Sequence, residues 1–294
     1  MDLVYCVHIT ADTEDLLIFS ELAAAFGFAA ASWRNVDTDE AWLRIFTEDE
    51  AAAHEILKQL QNALPDWQEL LSSTPRLSVD SVRKQDWSEC WKEHFHAFRA
   101  SRRIVVKPSW EDFTPESADD ILLELDPGMS FGTGYHGTTR ACLEFMDELA
   151  DELGPVSFLE AGCGSGILSL AAVKLGFTPV VAFDHDPQAV MCARENLALA
   201  GASHVAVSTA DVATFTPEQP SAVVAANILA HILDRYAESI ASFVAPAGHL
   251  LLAGILTEQY AGIKARYEAL GFREQRTRTI NEWTSGIYRR MRQG

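Results

Sequence analysis

Cationic side chains are scarce in this sequence: 23 lysines and arginines stand against 42 aspartates and glutamates, a formal net charge of −19 over 294 residues. That imbalance opposes general binding to nucleic-acid phosphates, so no direct nucleic-acid contact is expected. It suits a basic partner, which a field of this sign steers inward. Cysteine is sparse as well. Cys6, Cys90, Cys142, Cys163 and Cys192 are scattered, odd in number and without close metal-type pairing. This argues against a disulfide framework or a zinc site and for reduced thiols in the cytoplasm; no metal is expected. No apolar run approaches the roughly 20 residues of a membrane helix. Met1-Asp2-Leu3-Val4-Tyr5 has no basic segment ahead of an apolar stretch and reads as an opening strand, not a signal peptide. Internal repeats and low-complexity tracts are also missing.

What is present is ample core material, with 48% apolar residues, in a length that suggests two domains. Residues 1–83 read as a small α+β unit. Val4 to Ile9 suits a strand, and Thr13 to Phe26 carries Leu16, Leu17, Phe19 and Leu22 at helical spacing. Strands are expected around Ala29 to Val36 and Ala41 to Phe46, a helix over Glu48 to Leu60 and a closing strand over Arg76 to Val82. The order β-α-β-β-α-β is the ferredoxin-like pattern. Residues 84–116 read as a linker segment carrying an aromatic helix, with Trp87, Trp91, Phe95 and Phe98 at steps of four and three. An ordinary buried helix face accounts for that stripe, and His94 and His96 lack the further ligands a metal needs.

From residue 117 onward, strand, glycine turn and helix alternate. Phe158, Val180 to Phe183, Ala222 to Ala226 and Leu250 to Leu252 are strand candidates separated by helices. Such alternation predicts a parallel sheet covered on both faces, an α/β domain. Phe272 to Ile280 and Thr284 to Arg290 read as a closing antiparallel pair.

The strongest chemical signal is Glu160-Ala161-Gly162-Cys163-Gly164-Ser165-Gly166, between an apolar strand and a helix. Glycines are needed where a backbone turns tightly against a ligand. A dinucleotide site would place a third glycine at position 167, but that residue is Ile167, so no pyrophosphate is implied. Glu160 ahead of the glycines suits a cofactor with a cationic amino-acid end. Val180 to Phe183 then runs into Asp184, a carboxylate placed for both hydroxyls of a ribose. Asp186, before Pro187, reads better as a helix cap. Asp211 suits either an adenine amino group or a plain surface turn. These features together point to S-adenosylmethionine and to a methyltransferase.

Two further segments complete the site. Val223 to Ala226 ends in Asn227, an amide at the carboxyl edge of the sheet. Methyl transfer from a sulfonium needs little acid–base help but does need an uncharged amine held in line, which an amide oxygen can do. Asn227 is therefore the expected catalytic residue, with a helix cap as the blander reading. The loop from Asp126 to Arg140 holds Pro127-Gly128 and three further glycines, and then Thr138 and Thr139 ahead of an amphipathic helix. One threonine can cap that helix while the other points into the cleft. His136 suits a general base, a helix cap or loop packing.

These elements resemble the bacterial ribosomal protein methyltransferases of the PrmA family, which modify the large-subunit ribosomal protein eleven. The resemblance rests on Asp86-Trp87 to Trp91-Lys92, Val106 to Trp110, the Asp126 to Thr139 loop, Glu160 to Leu168, Asn227 to Ala230, Gly254 to Leu256 and Glu282-Trp283. It implies a seven-stranded Rossmann-like methyltransferase domain behind a ferredoxin-like domain that recognises the ribosomal protein, and methylation of lysine ε-amines and of an N-terminal amine. It implies cofactor contacts at Thr139, Gly162, Asp184 and Asn227, to which the glycine turn adds Gly164. A monomer is expected. Tyr135 and Gly137 depart from the family pattern beside the reactive cleft, and Ser221 stands near a usual aspartate. Rival readings are the same chemistry on another protein lysine or a small amine, a nicotinamide oxidoreductase, which Ile167 opposes, and a non-catalytic ribosome-binding module.

Overall fold

The structure is a computed structural model; it describes residues 3–12, 15–16, 18–19, 23, 28, 30–34, 41–47, 49–67, 71–83, 96–126 and 136–292. The chain divides into two compact units, residues 1–94 and 95–294.

The first unit is built on β1 (Leu3–Thr10), β2 (Ala31–Arg34), β3 (Ala41–Thr47), α1 (Glu50–Trp67) and β4 (Arg76–Arg83). Asp15, Leu16, Ile18, Phe19 and Ala23 are helical. The sheet order is β2-β3-β1-β4, with every neighbouring pair antiparallel, the ferredoxin-like arrangement expected from the sequence. Alternation places Val7, Ile9, Leu43 and Ile45 on one face, packed with Leu16, Phe19, Leu60 and Trp67. α1 runs past the expected Leu60 because Ala63 and Trp67 extend the same buried stripe.

In the second unit, β5 (Phe98–Arg99), β6 (Ile104–Lys107) and β7 (Ile121–Glu124) form a small sheet. Part of the segment read as a linker is thus sheet structure: Phe98 stands in a strand, and its expected helical partners Trp87, Trp91 and Phe95 lie outside the described residues. The small sheet is tied to α2 (Gly137–Leu153) through buried Asp147, which accepts from the Ser101 hydroxyl at 2.7 Å and from Arg103 Nε at 2.6 Å.

The main sheet contains β8 (Phe158–Ala161), β9 (Val180–Asp184), β10 (Ala206–Thr209), β11 (Ser221–Asn227), β12 (Val244–Ala253), β13 (Phe272–Ile280) and β14 (Trp283–Arg290). Its seven strands run in the order β10-β9-β8-β11-β12-β14-β13. β8 to β12 are parallel, β14 is antiparallel to β12, and β13 is antiparallel to β14. β10 escaped the sequence pattern because only Val207 in it is buried. Helices α2, α3 (Ile167–Leu175) and α4 (Pro187–Leu199) cover one face. α5 (Ala230–Arg235), α6 (Ala237–Ser242) and α7 (Thr257–Ala269) cover the other. Burial on both faces explains the unbroken apolar runs Val223 to Ala226 and Leu250 to Ala253. Strand order reverses between β8 and β11, and open α/β sheets bind ligands outside the carboxyl ends of strands at such a point.

Candidate functional site

Ala226 lies beside Ala161 in the β8–β11 register, so Gly162 and Asn227 leave the sheet side by side at the switch point. After β8 the backbone turns through Gly162, Gly164 and Gly166, all with positive φ (75°, 50° and 79°), the left-handed region that side chains disfavour. The turn is fastened to the neighbouring strand: Gly162 N–H and Cys163 N–H both donate to the Phe183 carbonyl, at 2.9 and 3.0 Å. Gly164 N–H donates to Asp184 Oδ2 at 2.9 Å. Asp184, buried at the end of β9, also accepts from Asp186 N–H through Oδ1 at 3.0 Å. Gly164 and Asp184, proposed separately from the sequence, are therefore directly bonded.

Asp186 is the N-cap of α4, its carboxylate accepting from Gln188 N–H at 2.8 Å with Pro187 next in the helix. Asp211 Oδ1 closes a turn by accepting from Ala213 N–H at 2.7 Å.

Glu160 stands differently from its sequence reading. It is 2% exposed, and its Oε2 accepts from Ser169 N–H at 2.8 Å and from the Ser169 hydroxyl. Ser169 lies in the first turn of α3, whose own N-cap, Gly166, has no side chain to offer. Glu160 thus caps α3 from the preceding strand. Burial, partly offset by the two Ser169 bonds and reinforced by the Asp184 charge, pushes its pKa up to about 8.

Asn227 and Thr139 come together from residues 88 positions apart: Asn227 Nδ2 donates to Thr139 Oγ1 at 3.2 Å. That bond turns the other end of the amide inward, where Asn227 Oδ1 is buried and has no hydrogen-bond partner among the described residues. A buried acceptor without a donor is costly in a folded protein, and a ligand that donates to it would complete the network.

Neither threonine caps α2. The cap is His136, whose Nδ1 faces Thr138 N–H at 3.4 Å and Thr138 Oγ1 at 2.8 Å. The imidazole packs edge-on against Trp283, with ring centroids 4.9 Å apart. Burial lowers its pKa, against a raising influence from Glu282, so the ring is neutral at neutral pH, as an accepting cap must be. Sequence reasoning left Trp283 outside the site because β14 reaches it only through the fold. Gly137 also acquires a reason: a Cβ there would lie 3.0 Å from Ile280 Cγ2. Tyr135 lies outside the described residues. His96 Nδ1 is 3.4 Å from Glu111 Oε2, and no cluster of ligating side chains suited to a metal occurs among the described residues.

The arrangement is a glycine turn after β8, flanked by an acid at the end of β9 on one side and, at the end of β11 on the other, by an amide oxygen with no hydrogen-bond partner among the described residues. These residues fit an adenosyl cofactor with a reactive group near Asn227. Comparison with known proteins agrees. A family model described as Ribosomal protein L11 methyltransferase (PrmA) matches residues 21–291. The chain is similar to the ribosomal protein L11 methyltransferase of Geobacter metallireducens, 45% identical over 213 residues, covering 72% of this chain and 68% of that protein. Its similarity to the Pelobacter propionicus protein of the same name is 41% over 251 residues, 83% of this chain and 80% of that one. A crystal structure of ribosomal protein L11 methylase from Lactobacillus delbrueckii subsp. bulgaricus superposes with a TM-score of 0.62 at 29% identity, over 67% of this chain and 100% of that chain.

Proposed function

The chain belongs to the family of ribosomal protein L11 methyltransferases, and from that premise we propose that it methylates lysine ε-amines and the N-terminal α-amine of ribosomal protein L11. Its methyl donor is S-adenosylmethionine. When bound, this cofactor supplies an electrophilic methyl group on a cationic sulfur. Gly162 and Gly164 line the backbone that would hold it, Asp184 would accept the ribose hydroxyls, and Thr139 and Asn227 would close the site near the methyl group.

The observation that carries this reading is the buried Asn227 Oδ1, which has no hydrogen-bond partner among the described residues, beside the glycine turn. An amine entering the site donates an N–H to that oxygen, and the bond turns the nitrogen lone pair toward the donor group. Holding reacting atoms in line is most of what such a transfer needs. The Thr139 bond keeps the amide from rotating. Leu229, 54% exposed two residues beyond Asn227, offers an apolar surface for the methylenes of a lysine. His136 is committed to the α2 cap, so the amine's proton leaves to water before transfer.

The net charge of −19 suits a basic ribosomal protein as substrate. The ferredoxin-like unit, with none of the cofactor elements, is the part that recognises it. The enzyme acts as a monomer in the cytoplasm; no helix among the described residues is long and apolar enough to cross a membrane. The test is to incubate the protein with labelled S-adenosylmethionine and either purified ribosomal protein L11 or a cell lysate, and to map the label by mass spectrometry. Label on lysines and the N-terminus of L11 is expected; label confined to another protein refutes the substrate.

A further inference from the structure

Ile228 follows Asn227 and sits between two glycines from different parts of the chain. A Cβ on Gly162 would lie 2.4 Å from Ile228 Cγ2. A Cβ on Gly254, just past β12, would lie 2.3 Å from the Ile228 carbonyl oxygen and 2.8 Å from its carbonyl carbon. Both separations are far below any real carbon contact, so the two glycines are required by Ile228. Its side chain fills the space beside the cofactor turn, and its backbone is pressed against the end of β12. Both glycines also have positive φ, 75° and 82°.

We propose that Ile228 is a positioning residue, a wedge between Gly162 and Gly254 that fixes the Asn227 amide relative to the cofactor turn. This rests on the reading of Asn227 as the group that orients the amine. Gly162 is then needed chiefly to admit a neighbouring side chain, and only secondarily to let a ligand approach. The wedge couples two loops that must agree in position for transfer: one holds the methyl donor and the other the acceptor. Ile228 is partly buried and packs against the hydrophobic cluster of the second sheet face, which gives the wedge its seat.

The geometry supplies its own control. The obstruction at Gly162 is a side-chain methyl, which truncation of Ile228 removes; that at Gly254 is backbone, which truncation leaves in place. Both alanine variants carry similar left-handed backbone strain, so the difference between them isolates the wedge. The experiment measures the dissociation constant for S-adenosylmethionine by calorimetry, kcat and KM for methylation of ribosomal protein L11, and thermal stability. The variants are Gly162→Ala, Gly254→Ala and Ile228→Ala, the two glycine variants each combined with Ile228→Ala, and Ile228→Val.

Gly162→Ala should weaken cofactor binding by about tenfold or more, and adding Ile228→Ala should recover about fivefold of that loss, as expected for residues in direct contact. Adding it to Gly254→Ala should recover nothing. Ile228→Ala alone should lower kcat more than it raises the cofactor's dissociation constant, because its contribution appears in the alignment of the transition state. Ile228→Val, which keeps a methyl against Gly162, should restore kcat. Equal recovery in both glycine backgrounds, or none in either, overturns the wedge, and so does wild-type kcat in Ile228→Ala. This last arm decides the matter even if a glycine variant fails to fold. Absence of cofactor binding by the wild-type protein would instead sink the methyltransferase reading of the site on which the proposal stands.

Discussion

Replacing Asp184 by alanine tests the cofactor site most directly. A carboxylate offers about four lone-pair positions. Asp184 uses one on Gly164 N–H at 2.9 Å and one on Asp186 N–H at 3.0 Å. The imidazole of His185 stands 3.2 Å from Oδ1, but its side chain is 80% exposed and free to turn away. Two positions therefore remain for the two hydroxyls of a ribose. Each hydrogen bond to a charged group contributes about 1.5–3 kcal/mol, so loss of even one of the two should make the Asp184→Ala variant bind S-adenosylmethionine at least roughly 10–150-fold more weakly in calorimetry. The same change unties the glycine turn from β9 and should lower the midpoint of urea unfolding. Asp184→Asn keeps one acceptor oxygen but turns an NH2 toward a backbone N–H or a hydroxyl, so it should fall between wild type and alanine. A 2′-deoxy analogue of the product separates the two roles: wild type should discriminate against it, and Asp184→Ala should not. If stability falls while cofactor affinity and 2′-hydroxyl discrimination stay unchanged, Asp184 only braces the turn and the ribose assignment is wrong.

Three other expectations follow from the same geometry. Asn227→Ala should cut kcat on the order of a hundredfold with a much smaller change in cofactor affinity; loss of affinity with kcat retained would make Asn227 a binding residue only. Removing residues 1–94 should leave cofactor binding, measured by calorimetry, intact while abolishing methylation of ribosomal protein L11, and undiminished turnover by the shortened chain would place recognition in the second unit. Glu160, whose pKa burial raises from an ordinary 4.5 to about 8, keeps its proton in the folded state between those values and loses it in the unfolded chain. Its contribution to stability should thus decline as pH rises from 4.5 to 8, by up to about 1.4 kcal/mol per pH unit. Urea unfolding of Glu160→Gln should depend less on pH over this range than wild type, and parallel curves would show that Glu160 is already ionised.

The α/β class, the glycine turn and the acid on the next strand were legible in the sequence because they depend on local patterns. Apolar runs covered on both faces, glycine spacing and a carboxylate at a strand end all lie within a few residues of one another. The ferredoxin-like order of the first unit was legible for the same reason, since period-two and helical stripes alternate along it. Pairings across the fold were not. Local sequence suggested that Glu160 faces a cationic ligand end, yet β8 and α3 are packed so that Ser169 takes both bonds. A threonine seemed the natural cap for α2, whereas His136 takes that role with Trp283, from β14, against its ring. β5 and β6 are too short to show a period, and edge strand β10 too exposed. The placement of the Asn227 amide depends on a bond to Thr139, 88 residues away, and the need for glycine at 162 and 254 on a residue, Ile228, that neither adjoins in the chain. Sequence determines which groups are available at each strand end, through local conformational preference and burial. Only the packed sheet decides which of them meet, because contact between distant segments is set by register and strand order.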